Sequence, residues 1–315
     1  MGWPTPCIFI SFKRNVFPIT FLKNAMVLKL TILRLFIITT IFLSSLKIYT
    51  QEVLDKAQYR FHYKYAWEFD TLTLNDTRED LIILQVGENI SKSYSYYTFQ
   101  SDSLVATPDG KRAIRQIADN VARAIVENRE RPKDFIRRRS PTIVYKNYPV
   151  DQVTVTENIN ANYYFFREEL HPQTWQITDS TKTILDYTCQ MAVSDFRGRL
   201  WIAWFAHDIP ISDGPWKFSG LPGLIMEVHD SEKHYHFTLV GIEQVDNESI
   251  VFSPVVLSHG SFGKHEKTTR IDFLRGLARY RGIASSIMNA ELGRETFDET
   301  SSVRHNDLME RDYRR

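Results

Sequence analysis

The amino-acid sequence predicts a mainly β protein, a single curved antiparallel sheet or half-barrel with a few peripheral helices. Three observations predict it. From Tyr59 to Phe69 (YRFHYKYAWEF), Tyr59, Phe61, Tyr63, Tyr65 and Trp67 alternate with Arg60, His62 and Lys64, the period-two pattern of a half-buried strand. The segments that separate such runs, among them 75–77 and 87–89, are too short for crossover helices, which favours antiparallel neighbours. The stretch Phe196–Asp230 (FRGRLWIAWFAHDIPISDGPWKFSGLPGLIMEVHD) gathers aromatics, turn-forming glycines and prolines, and alternating apolar residues, so it specifies a backbone path in detail.

Ahead of the globular body lies a leader, residues 1–50. From Met26 the chain reads MVLKLTILRLFIITTIFLSSLKIYTQ, with Lys29 and Arg34 before an apolar block Leu35–Leu43. A basic start, a short apolar middle and a polar boundary form the pattern of a secretory signal peptide. The block is about half the ~20 residues that a membrane-spanning helix needs; the alternative is a leader kept as an N-terminal anchor, because Tyr49 and Thr50 make an imperfect cleavage site. Residues 1–25 read as an extension upstream of the true start at Met26. Removal of the leader leaves no transmembrane segment, and no cysteine follows the apolar block to take a lipid. The expected location is therefore the periplasm or outer envelope, but not as a lipoprotein. Of the two cysteines, Cys7 lies in the leader and Cys189 stands alone in the body, on an alternating apolar face, as a buried structural thiol.

Within the body, residues 51–290, strands are expected at Asp80–Val86, Ser93–Gln100, Thr142–Tyr145, Gln152–Asn158, Ala161–Glu168 and Trp175–Ile177, and within Lys182–Val193. Leu200–Ala206 (LWIAWFA) is apolar on both faces, as a covered central strand would be. Leu224–Val228 and His234–Ile242 flank a polar turn and read as a hairpin. Val251–Leu257 carries Pro254 and belongs at an edge. Residues 109–139 turn helical and basic, and read as a solvated face. No aromatics are interleaved there for base stacking, so nucleic acid is not an expected partner. The chain's formal charge of +1 points the same way. After Lys264 a second helical pattern begins, and residues 291–315, rich in charge, are expected to be mobile. At 315 residues, 43% hydrophobic and 24% charged, the chain carries enough apolar material for a sizeable core.

The hexapeptide Gly220-Leu221-Pro222-Gly223-Leu224-Ile225 spells GLPGLI. It is preceded by Tyr187-Thr188-Cys189-Gln190-Met191-Ala192, Phe196-Arg197-Gly198-Arg199, Ala203-Trp204-Phe205, Ile209-Pro210-Ile211 and Gly214-Pro215-Trp216-Lys217-Phe218, and followed by Asp230. In this order the chain resembles the GLPGLI family, secreted proteins of Gram-negative bacteria, specifically over roughly 175–245 and loosely from residue 58. The resemblance implies export. It carries no catalytic residue, because the family has no agreed activity. A sheet like that of periplasmic lipoprotein carriers follows by analogy of strand order alone, and the basic segment at 109–139 reads as an insertion.

Each part of the signature has a physical reading. Pro222-Gly223 suits the centre of a type II turn. Gly214-Pro215 and Ile209-Pro210 keep the residue before each proline extended. Trp216 and Phe218 fold back over the sheet as a rigid aromatic corner while Lys217 points to solvent. Ser219 reads as a turn residue, and Asp208 and Asp213 as turn organisers. The carboxylates Asp195, Asp208, Asp213 and Glu227 give only a weak acid–base signal. Aromatics including Tyr63, Tyr65, Trp67, Trp201 and Trp204 would line a groove for an apolar ligand or an envelope partner, in a non-enzymatic binding or structural protein without a cofactor. The alternative is a metal-binding protein or hydrolase with zinc or copper at His229, His234 and His236. On a strand His234 and His236 share a face, and His229 approaches across the turn.

Overall fold

The computed structural model describes residues 52–68, 77–127, 138–253, 255–256, 262–292 and 308–314. The leader, residues 128–137 of the basic segment and residues 293–307 of the tail lie outside the described residues.

The chain is mainly β, as its alternation predicts. Strands β1 (Val53–Glu68), β2 (Thr77–Val86), β3 (Ser91–Ser95), β4 (Ile143–Lys146), β5 (Gln152–Ile159) and β6 (Asn162–Glu169) step outward as a meander. Strands β7 (Gln176–Ile184), β8 (Tyr187–Phe196), β9 (Arg199–Ala206), β10 (Leu224–Asp230) and β11 (Tyr235–Val251) step back from the opposite edge until β11 pairs with β1. All these pairs are antiparallel. The exception in the sheet is the two-residue β14 (Glu266–Lys267), which lies parallel to β6 at the outer edge. Val255–Val256 (β12) and Phe262–Gly263 (β13) make a separate pair. Among the described residues no helix is long and apolar enough to cross a membrane.

Curvature follows from chain length. Between β6 and β7 lie ten strand spacings, about 48 Å in a flat sheet. The connection between them is only Leu170–Trp175, which reaches about 25 Å at full extension. The sheet therefore bends until its two edges face each other, although hydrogen bonding does not close it into a barrel.

Inside the bend sits the loop that joins β9 to β10. Trp216 and Phe218 pack against each other with ring centres 5.1 Å apart, and Phe218 lies 4.6 Å from Trp201. Phe61, Tyr63, Tyr65, Phe205, Phe237 and Leu239 complete the buried interior, and the Tyr63 hydroxyl donates to the Ile225 carbonyl at 2.8 Å. Of the aromatics expected to line an open groove, Trp67 is half-buried, whereas Tyr63, Tyr65 and Trp201 are buried, Trp201 against Phe218 of the loop. Trp204 is not among them: it faces the opposite side, with the Lys182 ammonium 4.4 Å from its ring centre.

Several sequence expectations need correction. The strand expected over Ser93–Gln100 stops at Ser95, whose hydroxyl accepts the Thr98 N–H at 3.2 Å and caps helix α1 (Tyr96–Val105). Helix α2 (Pro108–Val126) follows. Leu185 and Asp186, with φ of 47° and 67°, turn the expected strand at Lys182–Val193 into the β7–β8 hairpin. The last long strand already ends at Val251, and Val255–Val256 pairs elsewhere. Pro222-Gly223 does not form a type II turn. The Gly223 N–H returns to the Leu221 carbonyl at 2.8 Å, a γ-type turn about Pro222. Lys217 is buried rather than solvated, and the tail is packed over Leu308–Arg314, with Leu308 and Tyr313 in the apolar core. Helix α3 (Arg270–Leu292) lays Phe273 on Phe166, ring centres 5.5 Å apart.

Gly223 is required by close approach. Its φ is +153°, and a Cβ there would lie 2.2 Å from the Ala206 carbonyl oxygen. Gly223→Val is therefore expected to destabilise the protein by about 3 kcal/mol or more, read as a lowered thermal midpoint. An unchanged midpoint would contradict this packing.

Candidate functional site

Period two places Val144 and Lys146 of β4, and Phe166 and Glu168 of β6, on the inner face. Two of these four are charged, and both reach the signature loop. The Lys146 ammonium, buried under the loop, donates to Asp213, to the Gly214 carbonyl at 2.6 Å and to the Phe218 carbonyl at 3.0 Å. Its three protons are thereby satisfied, and the loop 213–218 closes round it. Burial pulls Lys146 below its ordinary value, against Asp213, which raises it. Asp213 and Ser219 face each other as a β-bridge, and the Trp216 N–H donates to Ser93 Oγ at 3.1 Å.

The crossing segment 170–175 holds the loop from the other side. His171 Nδ1 lies 2.8 Å from Ser219 Oγ, Gln173 Nε2 donates to the Lys217 carbonyl at 2.8 Å, and Trp175 Nε1 donates to the Ser219 carbonyl at 2.8 Å. A pocket of about 330 Å³ opens here, with Lys146, Asp213, His171, Ser219 and the buried hydroxyl of Ser91 in its walls. Burial keeps His171 below its ordinary value, helped by Lys146 and opposed by Asp213.

The second assembly is a cleft of cations. The Arg199 side chain, 1% exposed, binds Asp230 at 2.7 Å and gives its other donors to the carbonyls of Met309 at 3.0 Å and Leu308 at 3.1 Å. Lys217 contacts Glu168 and Glu310, and its ammonium sits about 5 Å from the rings of Phe166 and Trp216. Arg270 pairs with Glu310 at 2.7 Å and grips Asp312 with two bonds of 2.7 Å. Arg197 meets Glu168, and its carbonyl accepts the Arg311 N–H at 2.8 Å. Burial would raise Glu168, but Lys217 and Arg197 hold it below its ordinary value. Gly198, φ +79°, makes room for the tail: a Cβ there would stand 3.0 Å from that of Arg311.

The structure gives the rest of the signature packing roles. Leu221, Leu224 and Ile225 are core residues. Gly214 lies against Ile225, where a Cβ would meet that side chain at 2.9 Å. Gly220, φ +88°, lies beneath His171. Pro215 is buried, whereas Pro210 and Pro222 are exposed at the bends they set.

The three histidines do not converge. His229 and His236 form a cross-strand pair with ring centres 5.3 Å apart, and Glu227 accepts from His236 at 3.1 Å and from Lys182 at 2.7 Å. His234 precedes β11 and turns toward Glu232 at 3.3 Å. Oxygens of Asp230 and Glu232 and a nitrogen of His234 lie within 4.8 Å of one another. Arg199 already serves both carboxylates, and Arg311 serves Glu232. Guanidinium charge fills that position. Cys189 is buried, with its thiol pushed up by burial.

Sequence reasoning missed Lys146, His171, Glu168, Arg270, Glu310 and Asp312. The first and third were signalled by charged residues at inward positions of otherwise apolar strands. The tail carboxylates carried no local signal, because their partners are distant in the chain.

The fold and site define an open, curved antiparallel β protein built round an internal loop. Residues 197–227 match the profile of a family described as "Protein of unknown function (Porph_ging)". No curated protein matches the chain. Two solved structures are similar to it at 12% identity, "Structure of PNGF-II in C2 space group" and "Structure of PNGF-II in P21 space group", with TM-scores of 0.41 and 0.42. Each alignment covers 71% of this chain and 33% or 34% of the other, so the chain spans about a third of the length of those proteins.

Removing the Lys146 charge leaves Asp213 and two carbonyls buried without their donor. Lys146→Met is expected to cost about 3 kcal/mol, read as a lower urea midpoint, and an unchanged midpoint would refute the clasp. For Glu227, burial acts to raise the carboxyl, but the hydrogen bonds from His236 and Lys182 outweigh it and hold it at about 2. A depressed folded value stabilises above the unfolded value near 4.5 and is lost as pH falls toward 2. Glu227→Gln is thus expected to be less stable at pH 6 by roughly 2 kcal/mol, after discounting for solvent screening. The difference from the parent should vanish near pH 2 in acid titrations followed by circular dichroism, and a pH-independent difference would oppose the assignment.

Proposed function

We propose that this chain is an exported cell-envelope protein of the GLPGLI family that works by binding rather than by catalysis. Export is supported by the basic-then-apolar leader from Met26, and the family by the profile match, which contains the whole hexapeptide at 220–225. Binding is supported by one observation above the others. Arg199, the more deeply buried of the signature's two guanidiniums, divides its donors among Asp230, Glu232 and the backbone carbonyls of Leu308 and Met309 in the chain's own tail. A signature that holds backbone carbonyls serves recognition of polypeptide, and its aromatic residues rigidify the surface that does so.

In this reading the mature protein lies in the periplasm or at the outer envelope, without a lipid anchor. Mass-spectrometric mapping of the N-terminus of the protein from an envelope fraction is expected to place the mature start near residue 51. A start before Met26, or recovery with the cytoplasmic fraction, would overturn the proposal.

A further inference from the structure

Away from the loop and the tail, the outer face of the sheet carries two metal-ligating side chains in direct register. His229 of β10 and His236 of β11 are cross-strand partners, flanked in the same row by Ala66 of β1 and Ile202 of β9. Both histidines are half-buried, and their ring centres stand 5.3 Å apart. A metal ion with nitrogen bonds of about 2 Å, set at near-tetrahedral angles, holds two imidazole centres about 5 Å apart. The pair therefore has the spacing that one ion requires.

The ring nitrogens are also sorted into donors and acceptors. His229 Nδ1 lies 2.9 Å from the Asp230 carbonyl oxygen. That oxygen only accepts, so Nδ1 carries the proton and Nε2 the lone pair. His236 Nε2 lies 3.1 Å from a Glu227 carboxylate oxygen, with Thr238 Oγ1 at 3.1 Å from the same nitrogen. Its proton points to the carboxylate, which leaves Nδ1 bare. Among the described residues, no group bonds His229 Nε2 or His236 Nδ1. A histidine that ligates a metal almost always donates its other N–H to a carbonyl or carboxylate, which fixes the tautomer and makes the ligand more basic. Here a carbonyl serves His229 and a carboxylate serves His236, and Lys182 holds that carboxylate at 2.7 Å.

Nearby charge does not oppose a cation. Lys64 and Lys182, whose strands border this row, are already paired with Glu79 and Glu227. The adjoining set of Asp230, Glu232 and His234 differs, because Arg199 and Arg311 fill it with guanidinium charge.

We propose that His229 and His236 bind a divalent transition-metal ion between them, through His229 Nε2 and His236 Nδ1, with water completing its coordination. The three-histidine site expected from sequence thus narrows to two, because His234 belongs to Glu232. Imidazole ligands favour copper(II) over zinc by the Irving–Williams order. Two protein ligands leave the remaining positions open to an outside donor, so the site captures an ion rather than locking the fold. It depends neither on export nor on recognition of polypeptide.

The test titrates copper(II) alone, and separately zinc, into the full chain made without a histidine tag and stripped with chelator. Calorimetry is expected to show one ion per chain, with zinc bound at least about tenfold more weakly. Electron paramagnetic resonance of the copper form is expected to report two nitrogen donors. His229→Gln and His236→Gln should each weaken copper binding at least about tenfold while near-ultraviolet dichroism stays that of the parent, and His234→Gln should leave it unchanged. His229→Gln leaves the bonds of Glu227 intact, so it tests the site even where His236→Gln disturbs the strand pair. Three results would each overturn the proposal: no saturable binding, full affinity in the His229→Gln variant, or loss of binding in His234→Gln, which would put the ion with Asp230 and Glu232.

Discussion

The short crossing from β6 to β7 is the constraint on which the rest depends. Six residues cannot span a flat sheet of this width, so the sheet must bend, and a bent sheet has an interior to fill. The β9–β10 loop fills it. His171, Gln173 and Trp175 of the crossing are the residues that bond the loop, so the segment that forces the curvature also fixes what occupies it. Glycines and prolines in the loop serve this confinement: Gly214 and Gly223 sit where no side chain fits, and the prolines set the bends at the rim.

Two lysines give the interior its polar order. Lys146 binds the loop through its carbonyls from one wall, and Lys217 projects from the loop to a carboxylate of another strand and one of the tail. Buried ammonium groups are costly unless each proton has an acceptor and opposite charge lies close. Lys146 has an acceptor for each proton, whereas Lys217 has two carboxylates, Glu168 and Glu310, and the rings of Phe166 and Trp216 beside it, an arrangement that fixes loop, wall and tail together. The apolar packing of Trp201, Trp216 and Phe218 supplies cohesion, whereas the lysines supply register.

Much of the fold could be read from the sequence because period two is a local property. The face of β1 and the hairpin at residues 224–242 follow from alternation; β9, apolar on both faces, lies inside the sheet but is fully covered on only one face, with Leu200 exposed on the other. The errors fall where a local rule met a competing one. Ser95 looked like a strand residue in an aromatic run, but its hydroxyl caps a helix. Pro222-Gly223 had turn chemistry, but the close approach of the Ala206 carbonyl decided its geometry. Lys217 was read as solvated because charge usually is; its partners, Glu168 and Glu310, lie 49 and 93 residues away. The histidines share a stretch of sequence, but the turn before Tyr235 separates His234 from the other two. The signature could be recognised as a unit, whereas what it holds could not, because nothing local marks residues 308–314 as its complement.

The pairing of β1 with β11 has a consequence for how the chain acquires its structure. Arg60 and Glu243, partners across this seam, are 183 residues apart. Closing so long a loop must precede the reward of forming the contact, which makes such pairings slow. The seam at the centre of the sheet is therefore its costliest pairing in chain entropy, and wherever that seam is unmade β1, aromatic along one side, presents an open margin to other chains.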